Sequence, residues 1–163
     1  MDTILSLQWG FVLAIAGAAA AVVLAGFGSS IGIGIAGQAS DGLLSEEPEK
    51  FGNILILAVL PGTQGIYGFV AAFIVMLRVG LVGAVAVELT ILKGLQIFLS
   101  CLPVALGGFV SGIYQGKVSA AGIAVVAKQP ADSMKAVIMS ALVETYAVLG
   151  LLISILLLFG IKL

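Results

Sequence analysis

The chain has 163 residues, of which 61% are hydrophobic and 9% are charged, and its mean hydropathy is +1.28. This composition is typical of a membrane protein and excludes a water-soluble domain. Seven basic and eight acidic residues give a formal net charge of -1, so nothing indicates a nucleic-acid partner. The lack of histidine excludes imidazole catalysis and most zinc sites, and the single cysteine excludes an internal disulfide. With no nucleophile and base pair visible, we expect no catalytic site.

Four stretches are apolar enough and long enough to cross a bilayer as helices, since about 20 apolar residues span the hydrocarbon. In chain order they are residues 3–40, 51–77, 94–116 and 136–161. Short polar turns at 45–50 and 128–132 separate the first pair and the second pair, and a less polar connection over 78–93 joins the two pairs. The sequence therefore predicts an all-α membrane protein made of two tandem helical hairpins. Asp132 or Ser133 is placed to cap the fourth helix.

An internal repeat relates the two hairpins when the sequence is shifted by 82 positions. Among the identities are Gly26-Phe27 with Gly108-Phe109, Ser29 with Ser111, Pro48 with Pro130, and Thr63 with Thr145. We therefore divide the chain into a first hairpin, residues 1–82, and a second hairpin, residues 83–163. Each half has an even number of crossings, so the repeat is parallel, which argues against the inverted repeats of many transporters.

Small residues are concentrated in the first and third helices, whereas the second and fourth carry bulkier side chains. Small residues at spacings of two to four allow membrane helices to approach closely. Packing within one four-helix bundle explains part of this pattern; a homo-oligomeric ring, with these helices in its inner layer, explains all of it. The small residues include Gly26, Gly28, Gly32 and Gly34 in the first helix and Gly107, Gly108, Gly112 and Gly116 in the third.

Glu144 is the only charged residue in the stretch 136–161. A carboxylate at bilayer depth is costly and marks a functional site by default. Distance from the hairpin turn measures depth, and Gln115 precedes Pro130 by almost the same number of positions as Glu144 follows it. At about 1.5 Å per residue, both lie roughly 20 Å from the tip.

The first hairpin contributes polar residues at the same depth, because Thr63 and Gln64 follow Pro48 at nearly the same separation. Pro61 adds free oxygen ligands, since a proline inside a helix releases the carbonyl four residues earlier. The layer thus offers a carboxylate, two amide oxygens, a hydroxyl and a backbone carbonyl, an all-oxygen set that suits a hard cation.

One carboxylate balances one monovalent cation, so the predicted cargo is Na⁺ or H⁺. The amides and the hydroxyl favour Na⁺, because a proton needs no coordination shell. Alternatives remain for single residues: Gln64 and Gln115 can hydrogen-bond across helices, and Lys117 is a rival partner for Glu144, although it faces another side of its helix.

Three motifs closely resemble the duplicated proteolipid, or K subunit, of bacterial sodium-pumping V-type ATPases. They are residues 60–68 (LPGTQGIYG), 111–117 (SGIYQGK) and 143–147 (VETYA). The resemblance covers essentially the whole chain. It implies a rotor ring of identical four-helix subunits, connected through a central stalk to a soluble ATP-hydrolysing head and facing a membrane stator that supplies an arginine.

The resemblance also implies the residues that hold the ion and the orientation in the cell membrane. Na⁺ would be bound by the Leu60 carbonyl, the Thr63 hydroxyl, the Gln64 and Gln115 side-chain oxygens and the Glu144 carboxylate. It further implies that Tyr67 donates a hydrogen bond to Glu144 as an outer-shell partner, that the hairpin turns face the cytoplasm, and that both termini face outward.

In the repeat Glu144 aligns with Gly62, so the first hairpin lacks the acid and four helices share one ion site. Fewer ions per turn favour pumping against a steep gradient over ATP synthesis. The alternatives are a proton-carrying ring of the same architecture and a structural or channel-forming proteolipid without an ATPase partner.

Overall fold

A computed structural model of the protein describes residues 2–83 and 87–163, with side chains from Trp9 onward. Part of the predicted connection between the hairpins, residues 84–86, lies outside the described residues. All regular secondary structure in the described ranges is helical. The α-helices are α1 (Asp2–Glu46), α2 (Phe51–Val59), α3 (Thr63–Arg78), α4 (Ile91–Lys128) and α5 (Ser133–Gly160).

Four helical segments of the described chain are long and apolar enough to cross a membrane, which confirms the predicted fold class. Helices α2 and α3 form one of these segments, interrupted by a single 3-10 turn at Leu60–Gly62. The other two 3-10 turns, Pro48–Lys50 and Pro130–Asp132, begin the second and fourth crossings. The four segments are Trp9–Glu46, Pro48–Arg78, Ile91–Lys128 and Pro130–Gly160.

The third crossing is longer than the predicted stretch 94–116. Helix α4 continues past Lys117 to Lys128 because a lysine side chain at the helix surface does not interrupt the backbone hydrogen bonds. The charge pattern therefore marked the apolar part of this helix and not its end.

Helices α1 and α4 pack side by side through glycines. A Cβ added to Gly28 would lie 2.6 Å from Gly108 O and from Phe109 Cα, and one added to Gly112 would lie 2.6 Å from the carbonyl carbon of Gly28. No real side chain tolerates such distances to backbone atoms, so this contact requires glycine. The result is the close backbone approach that membrane helices use in place of a hydrophobic driving force.

Helices α3 and α5 pack against α1 and α4 on glycines of their own. A Cβ on Gly68 of α3 would lie 2.7 Å from Ala25 Cβ, and one on Gly150 of α5 would lie 2.7 Å from Pro103 O. Pro103 lies inside α4, and the next amide, Val104 N, donates to the buried Ser154 hydroxyl of α5 at 3.1 Å.

The two hairpin turns lie side by side at one end of the molecule. Lys50 of the first turn pairs with Glu47 at 2.6 Å and donates to the Ala127 carbonyl at the end of α4, also at 2.6 Å. The predicted side-chain cap on α5 is absent: the helix begins at Ser133, but Asp132 makes no capping hydrogen bond. It pairs instead with Lys135 at 2.9 Å, because residues three positions apart lie on the same face of a helical turn.

Candidate functional site

The break between α2 and α3 places the Leu60 carbonyl in a 3-10 turn next to Thr63. Pro61 is buried and has no amide hydrogen, so the chain tightens into the 3-10 turn Leu60–Gly62 instead of continuing as α-helix. The Leu60 carbonyl accepts from the backbone N–H of Thr63 and from its hydroxyl, at 3.1 Å for the latter. Because the Thr63 hydroxyl donates its proton there, its lone pairs remain available as a ligand.

Two glutamines, one from each hairpin, meet in the interior. Gln64 and Gln115 are both 0% exposed. Gln64 Nε2 donates to Gln115 Oε1 and, at 3.1 Å, to the Ser111 hydroxyl. Gln64 Oε1 is also buried, yet it has no hydrogen-bond partner in the described part of the chain. Since an unpaired buried oxygen is costly, this atom requires an explanation.

Glu144 of α5 lies at the edge of this cluster and is partly buried. Tyr67 donates its hydroxyl proton to Glu144 Oε1, and Gln115 Nε2 donates to Glu144 Oε2 at 3.3 Å. Each of the two carboxylate oxygens therefore accepts a hydrogen bond.

The structure joins four of the six predicted site residues into one hydrogen-bonded chain. Gln64 bonds to Gln115, Gln115 to Glu144, and Tyr67 to Glu144. Leu60 and Thr63 bond to each other on the turn that immediately precedes Gln64. These hydrogen bonds connect the first hairpin to the second, so the site exists only when both hairpins are packed together.

Lys117 does not pair with Glu144. Its side chain is exposed, and Nζ lies 4.8 Å from the centre of the Tyr114 ring, in a cation–π contact. The ion pairs among the described residues are Glu47–Lys50 and Asp132–Lys135, both at the turns. Within the described ranges, Glu144 is thus a carboxylate without a basic partner.

Two serines that the sequence analysis did not assign to the site support it. Ser111 accepts from Gln64 and donates to the Val143 carbonyl at 3.2 Å. The Ser140 carbonyl accepts from Gln115 Nε2 at 3.2 Å, and its hydroxyl lies 2.8 Å from that of Ser119. A signal for both was present, because Ser111 precedes Gln115 by four residues and Ser140 precedes Glu144 by four, which places each pair on one helix face.

The chemistry of these groups fits a monovalent hard cation. No cluster of three or more His, Cys, Asp or Glu that suits a metal ion occurs among the described residues. The cluster instead offers oxygens of a single carboxylate, two amides, a hydroxyl and a carbonyl.

Comparison with known proteins gives a family for this arrangement. Two separate segments of the chain, residues 16–75 and 98–157, match the family of the C subunit of ATP synthase. The chain belongs to this family. The starts of the two matches, residues 16 and 98, are separated by the offset of the internal repeat, so the family's unit is present twice. The predicted boundary between residues 82 and 83 remains a prediction.

Two relatives of this chain are named subunit K. The V-type sodium ATPase subunit K of Enterococcus hirae is 45% identical over 157 residues, which cover 96% of this chain and 97% of the relative. The A-type ATP synthase subunit K of Methanocaldococcus jannaschii is 39% identical over 150 residues, or 92% of this chain and 63% of that protein. The predicted resemblance to the K subunit is thereby confirmed.

Proposed function

We propose that this chain is the rotor-ring subunit of a V-type rotary ATPase and carries one Na⁺ at Glu144. The main observation behind this proposal is Gln64 Oε1, a buried acceptor that has no donor in the described chain. Gln115 connects Gln64 to Glu144, a carboxylate that has no basic partner among the described residues. A cation bound between them would satisfy both groups. The chain's similarity to the V-type sodium ATPase subunit K of Enterococcus hirae supports the same assignment.

The charge of the site supports a monovalent ion. Glu144 alone supplies negative charge, and its charge is neutralised by one Na⁺, whereas a divalent ion would leave a net positive charge at bilayer depth. The proposed ligands are the Leu60 carbonyl, the Thr63 hydroxyl, the oxygens of Gln64 and Gln115, and Glu144. Tyr67 would orient Glu144 from outside the coordination shell, and its hydrogen bond to Oε1 fits that role.

A single carboxylate for four helices favours use as a pump. In the repeat, Gly62 occupies the position that corresponds to Glu144. Moving one charge against the membrane potential costs about 2.3 kcal/mol per 100 mV. Fewer ions per rotation therefore let the same ATP input drive each ion against a steeper gradient.

The proposed partners follow from this role, with catalysis assigned to other subunits of the complex. The protein would form a ring of identical copies in the cell membrane, with its hairpin turns toward the cytoplasm and its termini outward. A central stalk would connect the ring to the ATPase head, and a stator arginine would compete for Glu144 and release the ion.

Carbodiimide labelling tests the ion. Carbodiimides react with protonated carboxyl groups, so Na⁺ bound at Glu144 should protect the purified complex from labelling. At fixed pH we expect millimolar NaCl, but not equimolar choline chloride, to slow modification of Glu144. A Gln64→Ala variant should need more Na⁺ for the same protection, whereas Gln38→Ala, which alters an exposed glutamine of α1 outside the site, should behave as the wild type.

The outcomes separate the three candidate functions. Labelling that is indifferent to Na⁺ but slows as pH rises would replace Na⁺ by H⁺ in the same rotor. A chain that purifies without ATPase subunits after mild solubilisation would indicate a structural or channel-forming proteolipid. Equal protection of the Gln64→Ala and wild-type proteins would remove Gln64 from the ligand set.

A further inference from the structure

A pair of buried serines lies one helical turn from the proposed ligands. Ser119 of α4 and Ser140 of α5 are both 0% exposed, and their hydroxyl oxygens are 2.8 Å apart. Ser119 follows Gln115 by four residues and Ser140 precedes Glu144 by four, so the pair extends the polar face of the site toward the hairpin turns. Because the two hydroxyls bond to each other, any role of the pair in ion binding is indirect.

On the side of the turns, the serine pair borders apolar packing. One turn further on, α4 and α5 meet at Gly122 and Ala136, and a Cβ added to Gly122 would lie 2.9 Å from Ala136 Cβ. Ala136 belongs to a buried apolar cluster that includes Leu57 and Ile123. This packing argues against an ion path from the site to the turns, so the polar neighbours of the pair are those of the ion site.

The backbone of Ser140 fixes the direction of the Gln115 amide. Its carbonyl accepts from Gln115 Nε2 at 3.2 Å, which is possible because a carbonyl oxygen has a second lone pair besides the one used within the helix. A carbonyl only accepts, so the nitrogen of Gln115 must face Ser140 and its oxygen must face away. This requirement does not depend on the charge of Glu144, the other group to which Gln115 Nε2 donates.

The direction of Gln115 in turn determines that of Gln64. Gln115 Oε1 accepts from Gln64 Nε2, which also donates to the Ser111 hydroxyl at 3.1 Å. Both bonds hold the nitrogen of Gln64, and its Oε1 is therefore the atom left without a partner in the described chain. If the Gln115 amide turned over, two N–H donors would face each other. One backbone carbonyl thus sets the direction of two amides.

We propose that Ser119 and Ser140 are positioning residues for Na⁺. The bond between their hydroxyls holds the Ser140 carbonyl against Gln115, and both amides thereby keep their oxygens available to the ion. Without this bond the amides turn over part of the time and present N–H groups, which repel a cation. The inference rests on the proposed function, because it requires that Na⁺ bind at Glu144.

The first hairpin, which has no acid, also lacks the serine pair. In the internal repeat, Gly37 stands in place of Ser119 and Ala58 in place of Ser140. The counterpart of Gln115 is Ile33, which has no amide. A hairpin without an amide to orient therefore has no hydroxyl pair to orient it, as the proposed role requires.

Na⁺ protection against carbodiimide labelling of the purified complex tests the role of the pair. In Ser119→Ala, the Na⁺ concentration that halves the labelling rate of Glu144 should rise about fourfold, as expected if the amides stay aligned in about a quarter of the subunits. Ser140→Ala breaks the same bond and should give the same shift. The double variant should shift no further than either single variant, because only one bond is lost.

The matched control is Ser154→Ala, on the same helix as Ser140. Ser154 is also 0% exposed and also connects α5 to α4, because its hydroxyl accepts from Val104 N at 3.1 Å. It lies ten positions beyond Glu144, about 15 Å along the helix. Ser154→Ala should lower the thermal stability of the complex and leave the half-protecting Na⁺ concentration unchanged, which is the pattern of a serine that only packs helices.

The proposal and the proposed function fail in different ways. If Na⁺ protects the wild type and the Ser119→Ala and Ser140→Ala variants equally, or if Ser154→Ala shifts the Na⁺ requirement as far, the serine pair only packs helices. If the two single shifts multiply in the double variant, the shared bond is not their cause. If Na⁺ does not protect the wild type, the proposed function falls, and this inference falls with it. Should one single variant fail to assemble, the other tests the same bond from the opposite helix.

Discussion

The two hairpins share a scaffold and differ in chemistry. Both enter the second helix through a proline-led 3-10 turn, and both place a threonine hydroxyl on a leucine carbonyl, Thr63 on Leu60 and Thr145 on Leu142. Two of the positions at which they diverge lie at the site: the second hairpin has Glu144 and Gln115, whereas the first has Gly62 and Ile33. Packing and ion binding are therefore separable properties of this fold, and a few side chains determine which hairpin carries charge.

The strongest test of this comparison removes the charge that distinguishes the hairpins. Glu144→Gln keeps the size of the side chain but leaves nothing to balance Na⁺, so we expect Na⁺ transport and Na⁺-dependent ATP hydrolysis to be lost. Transport into membrane vesicles and ATPase assays check this, with Glu49→Gln in the exposed first turn as the control. Coupled transport at the wild-type rate in Glu144→Gln would show that the ion is carried elsewhere.

Removal of the Gln115 amide from the second hairpin should have the next largest effect on Na⁺ binding. Gln115 connects Gln64, Ser140 and Glu144, and interactions with charged groups contribute about 1.5–3 kcal/mol. Gln115→Ala should therefore weaken Na⁺ affinity about 10- to 150-fold, as measured by ²²Na⁺ binding to the purified ring. Gln38→Ala, at an exposed position of α1, should bind Na⁺ with the wild-type affinity. An unchanged affinity in Gln115→Ala would exclude this amide from the site.

The sequence predicts the location of the site better than its details. Counting residues from the turns placed Gln64, Gln115 and Glu144 at one depth, and the structure connects them by hydrogen bonds. The count works because helical rise is constant and each crossing starts at an equivalent turn. Their roles as ligands remain a proposal.

Other features could not be read from the sequence because they depend on packing. The contact between Gln115 and Ser140 uses a backbone carbonyl, which every residue possesses and no side chain reveals. The end of α4 at Lys128 lies well beyond the apolar stretch, since exposed lysines continue a helix without cost to its backbone. Asp132 matched a capping pattern, yet it is the last residue of a 3-10 turn and its carboxylate pairs with Lys135.

Tyr67, which contacts Glu144 and is not a proposed ligand, should affect Na⁺ affinity less than the proposed ligands do. Tyr67 contacts Glu144 Oε1, whereas its counterpart in the repeat, Leu149, has no polar group. Tyr67→Phe removes the hydroxyl alone, and only the part of this hydrogen bond's energy that differs between the Na⁺-bound and Na⁺-free states changes the affinity. We expect that part to be about 1 kcal/mol, so Na⁺ affinity should fall about fivefold. Isothermal titration of the ring with Na⁺ measures this, and Tyr146→Phe, at an exposed position, serves as the control. A loss as large as that in Gln115→Ala would instead make Tyr67 a direct ligand.

The smallest expected change in Na⁺ affinity comes from Ser111, which the repeat makes equivalent to Ser29. Ser111 accepts from Gln64 Nε2 and so helps fix the amide of a proposed ligand, whereas Ser29 accepts from the Gly65 backbone at 2.8 Å. Neutral hydrogen bonds contribute about 0.5–1.5 kcal/mol. Because Ser111 contacts only the amide nitrogen of a proposed ligand, we expect the lower end of that range, about 0.5 kcal/mol, so Ser111→Ala should weaken Na⁺ binding about two- to threefold. Ser29→Ala should lower the thermal stability of the ring by a similar free energy with less change in affinity, because the bond it breaks holds α3 to α1 and not a ligand to the ion. Parallel ²²Na⁺ titrations and thermal denaturation of both variants measure the two effects. If Ser29→Ala weakened Na⁺ binding as much as Ser111→Ala, the assignment of Ser29 to helix packing and of Ser111 to the ion site would be wrong.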